Sequence, residues 1–328
     1  MRTSIIHLIF TNHPYFNGTT LTMPITLHFV RHAQGFHNLG PQYHSLRDPA
    51  LTPLGETQCA TLRSKLQSTY GIDPTAISLL TASPLRRTVH TCALTFASTL
   101  TSKNTPILAL PTAQETSSYP CDTGSAPSIL NTICTEAGWP VDLTRVTADW
   151  TDKSAGSPYA PTNTKLAARA RETRRILLRE GKILQAQHKD EETTRDIEIV
   201  LVTHGGLLHY LTEDWEDANQ GMGTGWANTE LRSYNFVDEG ESKDAECHLV
   251  ETPKSRKIRG KEGSMIPAGS VEQESLFREA MASWEGQGLE TGESVEREGE
   301  NEDDCLERTM SQISREMGMG GLRVKAAA

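Results

Sequence analysis

The chain has 328 residues, 36% hydrophobic and 23% charged, with a formal net charge of −10 and a mean hydropathy of −0.46. That length allows one large domain or two small ones. No stretch approaches the roughly 18–20 apolar residues of a membrane span, and the negative balance argues against a nucleic-acid binder that relies on a basic surface. Six scattered cysteines with no Cys-x-x-Cys pair are too few for a disulfide scaffold; they are read as a reducing compartment, and cytoplasmic localisation is expected.

The N-terminus carries a short apolar run, Ile5–Phe10, after a single Arg2, interrupted by His7 and with no convincing small-residue cleavage site behind it. Residues 1–22 are therefore read as a flexible extension, with a secretory signal as the alternative. Ile25–Val30 is a compact β-like run. Pro53–Tyr70 reads as a helix with Thr52 as N-cap, Pro53 at the first helical position, and Leu54, Leu62 and Leu66 on one face. Ala76–Ala82 is a second strand, Leu85–Leu100 a helix with Val89, Cys92 and Phe96 inward, and Ile107–Leu110 a third short strand. Thr164–Gln187 is a long helix with Leu166, Ile176, Leu177, Ile183 and Leu184 inward. Ile197–Val202 is the most strand-like run and leads directly into a helix over Gly205–Trp215. A last strand is expected near Arg232–Val237. Strands alternating with helices predict a three-layer α/β/α sandwich around a largely parallel sheet, spanning 23–250.

After residue 250 the composition changes. Between Glu285 and Glu307 ten acidic residues face Arg297 alone, so almost all of the chain's charge imbalance sits there. Residues 251–328 are expected to be a charged, largely disordered tail, with a helix near 271–284 and a surface able to contact another protein. The basic cluster Lys254, Arg256, Lys257, Arg259 and Lys261 is read as pairing with this acidic segment.

In open α/β sheets ligands bind at the carboxyl ends of the strands. Here the first strand runs into Arg31-His32-Ala33-Gln34-Gly35, the second into Ser83-Pro84-Leu85-Arg86-Arg87-Thr88, and the strongest into Thr203-His204-Gly205-Gly206. One strand-end histidine is usually structural. Two of them with arginines, beside helix N-termini that favour anions, point to phosphoryl transfer through a histidine. A neutral imidazole can attack phosphorus while guanidinium forks hold the phosphoryl oxygens, and a carboxylic acid protonates the departing alkoxide.

These blocks, with Asn38 and Asp48-Pro49-Ala50-Leu51-Thr52-Pro53-Leu54-Gly55, resemble the histidine phosphatase superfamily and its phosphoglycerate-mutase-like fold, in order and spacing, over about Ile25 to Val237. The resemblance implies His32 as the nucleophile that becomes phosphohistidine. It implies Arg31, Asn38, Arg87 and Gly205 as phosphate-binding and His204 as the second histidine of the pocket. The Ser-x-Leu-x-Arg spacing from Ser83 selects Arg87 over Arg86. Glu115 is favoured as general acid, with Asp122 as the alternative. Each also has a plainer reading, Glu115 as a cap and Asp122 as part of an Asp-Thr-Gly turn.

Other polar residues take structural readings. His28 is a packed or edge histidine, His90 a helix-surface one, Asp48 and Thr52 order a loop and cap a helix, and Cys121 is a small buried spacer. His37 and His44 sit near His32, but the arginines make a cation there unexpected, so no metal and no cofactor are expected. An insertion over about 117–161, with Trp139, Trp150 and Tyr159, is expected to cap the pocket and set specificity. The reading is a metal-independent phosphomonoester hydrolase acting on a small phosphate ester, with no nucleic-acid or membrane partner. Two alternatives stand beside it. A mutase of this fold would carry a gripping arginine where the chain has Glu115-Thr116-Ser117-Ser118-Tyr119, and a non-catalytic scaffold would be expected to have lost part of the set.

Overall fold

A computed structural model describes residues 24–187, 196–221, 223–237, 246–263 and 265–297. The expected extension at 1–22 and the acidic run beyond Arg297 lie outside the described residues. Among the described residues a seven-stranded sheet has the order β4-β3-β2-β5-β1-β6-β7. Its strands are β1 (Ile25–Arg31), β2 (Leu79–Ala82), β3 (Ile107–Ala109), β4 (Val141–Asp142), β5 (Ile197–Thr203), β6 (Leu231–Phe236) and β7 (Leu249–Glu251). The first five run parallel, β6 pairs antiparallel with β1, and β7 pairs antiparallel with β6.

Strand pleating sorts the core into two layers. Ile25, Leu27, Phe29, Ile197, Ile199 and Leu201 face α5 (Asn163–Gln187), α6 (Gly205–Thr212) and α8 (Val271–Gly286). Val30, Leu80, Ala82, Val200 and Val202 face α1 (Pro53–Lys65), α2 (Arg86–Thr95) and α4 (Pro127–Glu136). The three-layer α/β architecture expected from the alternation of elements is therefore present. Leu201 is fully buried between β-strand neighbours and helices; Leu201→Ala is expected to cost about 2–5 kcal/mol in denaturant unfolding, through lost transfer energy and the cavity left behind.

Several local expectations change. Helix α1 is capped as expected, Thr52 Oγ1 accepting from Gly55 N at 3.1 Å. Leu54, however, is 54% exposed, because eight residues are more than two turns of a 3.6-residue helix and carry it off the face of Leu62. The single helix expected over Leu85–Leu100 breaks at Phe96 (φ −107°, ψ 28°) into α2 and α3 (Ala97–Lys103). His28 is a packed histidine in mid-sheet, bonded at 2.9 Å to Ser233 Oγ, and His90 stacks on Trp139.

The largest difference lies after residue 250. The part of the expected tail that is described forms β7, α7 (Pro253–Ile258) and α8, and Ala280, Met281 and Trp284 of α8 are buried in the core. Three apolar side chains on one helical face suffice to dock a segment whose average composition is polar. Among the described residues the basic cluster pairs with the domain. Arg256 meets Glu216 at 3.0 Å, Arg259 meets Glu251 at 2.7 Å, and Lys261 meets Asp217 at 2.8 Å. No helix among the described residues is long and apolar enough to cross a membrane.

Candidate active site

The strand order explains why distant blocks meet. The chain runs from β1 out to β2, β3 and β4, and β5 returns between β2 and β1, so the sheet has its switch point there. The register pairs Arg31 with Thr203 and Ala82 with Val202, which places the residues leaving β1, β5 and β2 side by side. His32 N bonds Thr203 O at 2.9 Å. The His32 and His204 rings are then 5.1 Å apart, and Arg87 Nε is 3.3 Å from His32 Nε2.

The hydrogen bonds assign the tautomers. His32 Nδ1 lies 2.7 Å from the carbonyl of Ala33 and so carries the proton, which leaves the Nε2 lone pair to accept from Arg87. Burial, with Arg87 and Arg31 beside it, holds the His32 imidazole well below its usual 6.5, so the ring is neutral and nucleophilic down into the acid range. His204 accepts from Arg87 Nη2 through Nδ1 (3.1 Å) and donates from Nε2 to Ser83 Oγ (2.9 Å). Both of its nitrogens are engaged. In this arrangement His204 orients Arg87.

Arg87 is fully buried and acts as the hub of the site. Besides the two histidines it donates to Cys121 O at 2.7 Å and to Asp122 Oδ1 at 2.9 Å. Asp122 in turn accepts from Ser117 Oγ at 2.5 Å. The turn expected at Asp122 therefore also carries a counter-ion for the arginine. Arg31 donates from Nη1 to Trp226 O, while its Nε is buried without a partner. Asn38 accepts from Gly35 N at 3.0 Å, which fixes the side chain where it lines the cavity.

Glu115 is held by the start of α6: its carboxylate accepts from Leu207 N at 3.1 Å, Gly206 N at 3.3 Å and Thr116 N at 2.9 Å. Burial first, and then the charge of Asp122, nonetheless push its acid above the ordinary 4.5, against the pull of Arg87 and these N–H groups. Arg169 Nη2 and Lys153 Nζ donate to the main-chain carbonyl of Glu115 at 3.0 and 3.4 Å. Burial brings Lys153 down to about 7.

A cavity of about 340 Å³ opens onto this cluster, lined at its inner end by Arg31, His32, His37, Asn38, Glu115 and Asp122, with Arg87 and His204 outside the lining. Thr224 escaped the sequence reading, and His37, weighed there only as a metal ligand, joins it in the lining. Thr224 Oγ1 lines the cavity, buried and without a partner. A Cβ built on Gly205 would lie 2.1 Å from it and 3.2 Å from Arg31 Nε, so glycine at 205 keeps open the space on which these two donors converge. His37, 92% buried, has its ring 5.2 Å from that of His32 and an unpartnered Nδ1. Its Gly-Phe-His spacing could have singled it out; Thr224, in a glycine-rich loop far along the chain, left no local signal.

The residues assigned structural roles hold them. Asp48 accepts from Arg86 N and Ser125 Oγ at 2.9 and 2.8 Å, and Cys121 is buried with its thiol pushed up by burial. The start of the insertion over 117–161 lines the cavity through Ser117, Tyr119, Cys121 and Asp122, whereas its three aromatic residues named from the sequence do not. Trp150 is fully buried against Leu85, Ala109 and Val146, Tyr159 packs on that cluster, and Trp139 packs by His90; none of the three lines the cavity. The opposite wall comes instead from Trp284, Gln287, Leu289 and Glu290, after the strands are complete.

With that geometry in place, comparison with known proteins is informative. Residues 27–117 match the family model of the histidine phosphatase superfamily (branch 1), a stretch that includes Arg31, His32, Asn38, Arg87 and Glu115. Over this stretch the chain is similar to the histidine phosphatase superfamily. Beyond it, the chain is 27% identical over 233 residues to a phosphoglycerate mutase-like protein of Arabidopsis thaliana, covering 66% of this chain and 85% of that one. It is 30% identical over 101 residues to a probable phosphatase of Schizosaccharomyces pombe, covering 30% of this chain and 45% of that one. Among solved structures it is similar to the ecdysone phosphate phosphatase of Bombix mori at 14% identity and a TM-score of 0.45, over 75% of this chain and 96% of that one. The family match covers the first two strand ends; His204, Gly205 and Thr224 lie outside it and join them through the sheet.

Proposed function

We propose that the protein is a phosphomonoester hydrolase that works through a phosphohistidine on a small phosphate ester, without a metal ion. The observation that carries this reading is the bare Nε2 of His32, fixed by the Ala33 carbonyl and facing the Arg87 guanidinium at the switch point of the sheet. Among the described residues no three His, Cys, Asp or Glu side chains group in a way that could hold a metal ion, and the cationic charge at the site is that of Arg31 and Arg87.

In the reaction the ester's phosphoryl oxygens take the donors of Arg31, Thr224 and Asn38 and draw Arg87 Nε off the His32 lone pair. The His32 Nε2–phosphorus bond forms as the ester P–O bond breaks, and Glu115 gives its proton to the leaving alkoxide. Glu115, now ionised, takes a proton from water, whose oxygen attacks phosphorus and returns His32. His204 and Asp122 hold the Arg87 fork in place throughout. A mutase would need a second anion-binding group at the leaving-group end, and apart from Arg31 the cavity lining contains no Lys or Arg.

The test is phosphate release from a panel of phosphomonoesters by the wild type, with and without chelator. Turnover that vanishes with chelator would contradict the metal-independent reading. Thr224→Val keeps the shape and removes the hydroxyl. It is expected to weaken binding of inorganic phosphate by roughly 10- to 100-fold, with unfolding temperature unchanged, as for loss of a hydrogen bond to a charged group. Cys59, Cys92, Cys121 and Cys134 are buried free thiols, which fits a reducing, cytoplasmic setting.

A further inference from the structure

The leaving-group end of the cavity is closed by the strap that follows α8, and the strap is tied down on both sides. Gln287 Oε1 accepts from Gly223 N at 2.6 Å, next to Thr224. Tyr119 Oη donates to Gly288 O at 3.2 Å, and the Glu290 carboxylate accepts from both Ser118 N and Ser118 Oγ at 2.6 Å. The strap thus bridges the phosphoryl end and the loop that carries the acid. What it presents is apolar apart from the Gln287 amide, which is tied to Gly223, and one carboxylate. Trp284 directs its indole N–H to Ala218 O (2.7 Å), so it offers the cavity only ring carbon, and Leu289 lies beside it on the lining. Across from them the His44 ring stacks on Tyr119 with centroids 5.5 Å apart, beside Pro41.

The charges along this wall are one-sided. Glu115, Asp122 and Glu290 line the cavity against Arg31, which sits at the phosphoryl end, and Lys153 and Arg169 turn to the far side of the Glu115 main chain. Resting on the phosphomonoesterase reading, we propose that the substrate class is a phosphomonoester of an apolar or aromatic alcohol carrying no second anionic group, and that Glu290 sets this selection. An alcohol's carboxylate or second phosphate would enter a partly desolvated space facing Glu290 with no cation to meet it. An apolar or flat alcohol covers Trp284, Leu289 and Tyr119 and displaces water from them.

The test uses glycerol 3-phosphate and 3-phosphoglycerate, which share a carbon chain and differ by the carboxylate, with phenyl phosphate as the aromatic member. Both kcat/KM and equilibrium binding are measured for the wild type, Glu290→Gln and Glu290→Lys. Binding to the wild type is expected to favour phenyl phosphate over 3-phosphoglycerate by roughly 10- to 100-fold, with glycerol 3-phosphate between them. Glu290→Lys is expected to close at least about 10-fold of that gap through KM for 3-phosphoglycerate, leaving kcat for phenyl phosphate within about 3-fold. Glu290→Gln retains an acceptor for Ser118 and isolates the charge, so it narrows the gap in the same direction even if the lysine variant does not fold. Equal binding of the two three-carbon esters by the wild type, or a gap unmoved in the folded glutamine variant, overturns the proposal. Selective binding without any turnover would instead overturn the hydrolase reading and leave the selection by Glu290 standing.

Discussion

Replacing His32 by alanine is expected to lower phosphate release by roughly 10⁴-fold or more, because the ring nitrogen that faces Arg87 is lost. His32 is fully enclosed, yet its ring makes only the bonds to Ala33 O and Arg87 Nε. The variant should therefore fold and still bind inorganic phosphate through Arg31, Thr224 and Asn38. A second measurement separates lost chemistry from lost binding. A brief reaction of the wild type with a radiolabelled ester, quenched in alkali, should leave label on the protein that acid removes, as expected of a phosphorus–nitrogen bond. The alanine variant should carry none. Hydrolysis by His32→Ala within about 10-fold of the wild type would remove the basis of the mechanism.

Glu115→Gln is expected to lower kcat for an alkyl phosphate by roughly 10² to 10⁴-fold, the usual contribution of a positioned general acid. An aryl phosphate whose leaving group is a weak base needs little protonation and should lose far less. That difference distinguishes a proton donor from a side chain that merely caps α6, since damage to the cap would slow both esters alike. Asp122→Asn provides the contrast: it frees Arg87 and should raise KM for both esters together.

The pH dependence follows from the same two environments. Burial and the charge of Asp122 raise the Glu115 acid above 4.5, so its proton is present in acid and is lost as pH rises through the raised value. Burial and two arginines lower His32 below 6.5, so its lone pair is lost only as pH falls through that lowered value. The product is a bell with its maximum between the lowered His32 value and the raised Glu115 value, and Glu115→Gln should flatten the alkaline limb. Stability carries the matching sign. A carboxyl whose folded pKa lies above its unfolded one contributes most at low pH, and that contribution falls as pH rises between the two values. Glu115→Gln should therefore reduce the loss of stability on that rise.

The fold and the heart of the site could be read from local pattern alone. β-branched runs such as Ile197–Val202, and helices begun by Thr52-Pro53 or Gly205-Gly206, are decided by short-range sterics and capping, which sequence displays directly. Because ligands collect at strand ends, Arg31, His32, Arg87 and His204 could be assembled on paper before the register of β1 on β5 and β5 on β2 brought them together. Strands as short as β4 and β7, of two and three residues, show no period and were missed. Three-dimensional packing decided the rest. That Asp122 neutralises Arg87, that Thr224 meets Arg31 over Gly205, and that Trp139, Trp150 and Tyr159 of the insertion fill core and not cavity depend on contacts across long stretches of chain. The segment around Glu290 reads as solvated because composition averages its charges. In the fold, the buried Ala280, Met281 and Trp284 anchor α8, and that anchor carries the acidic strap across the mouth of the site.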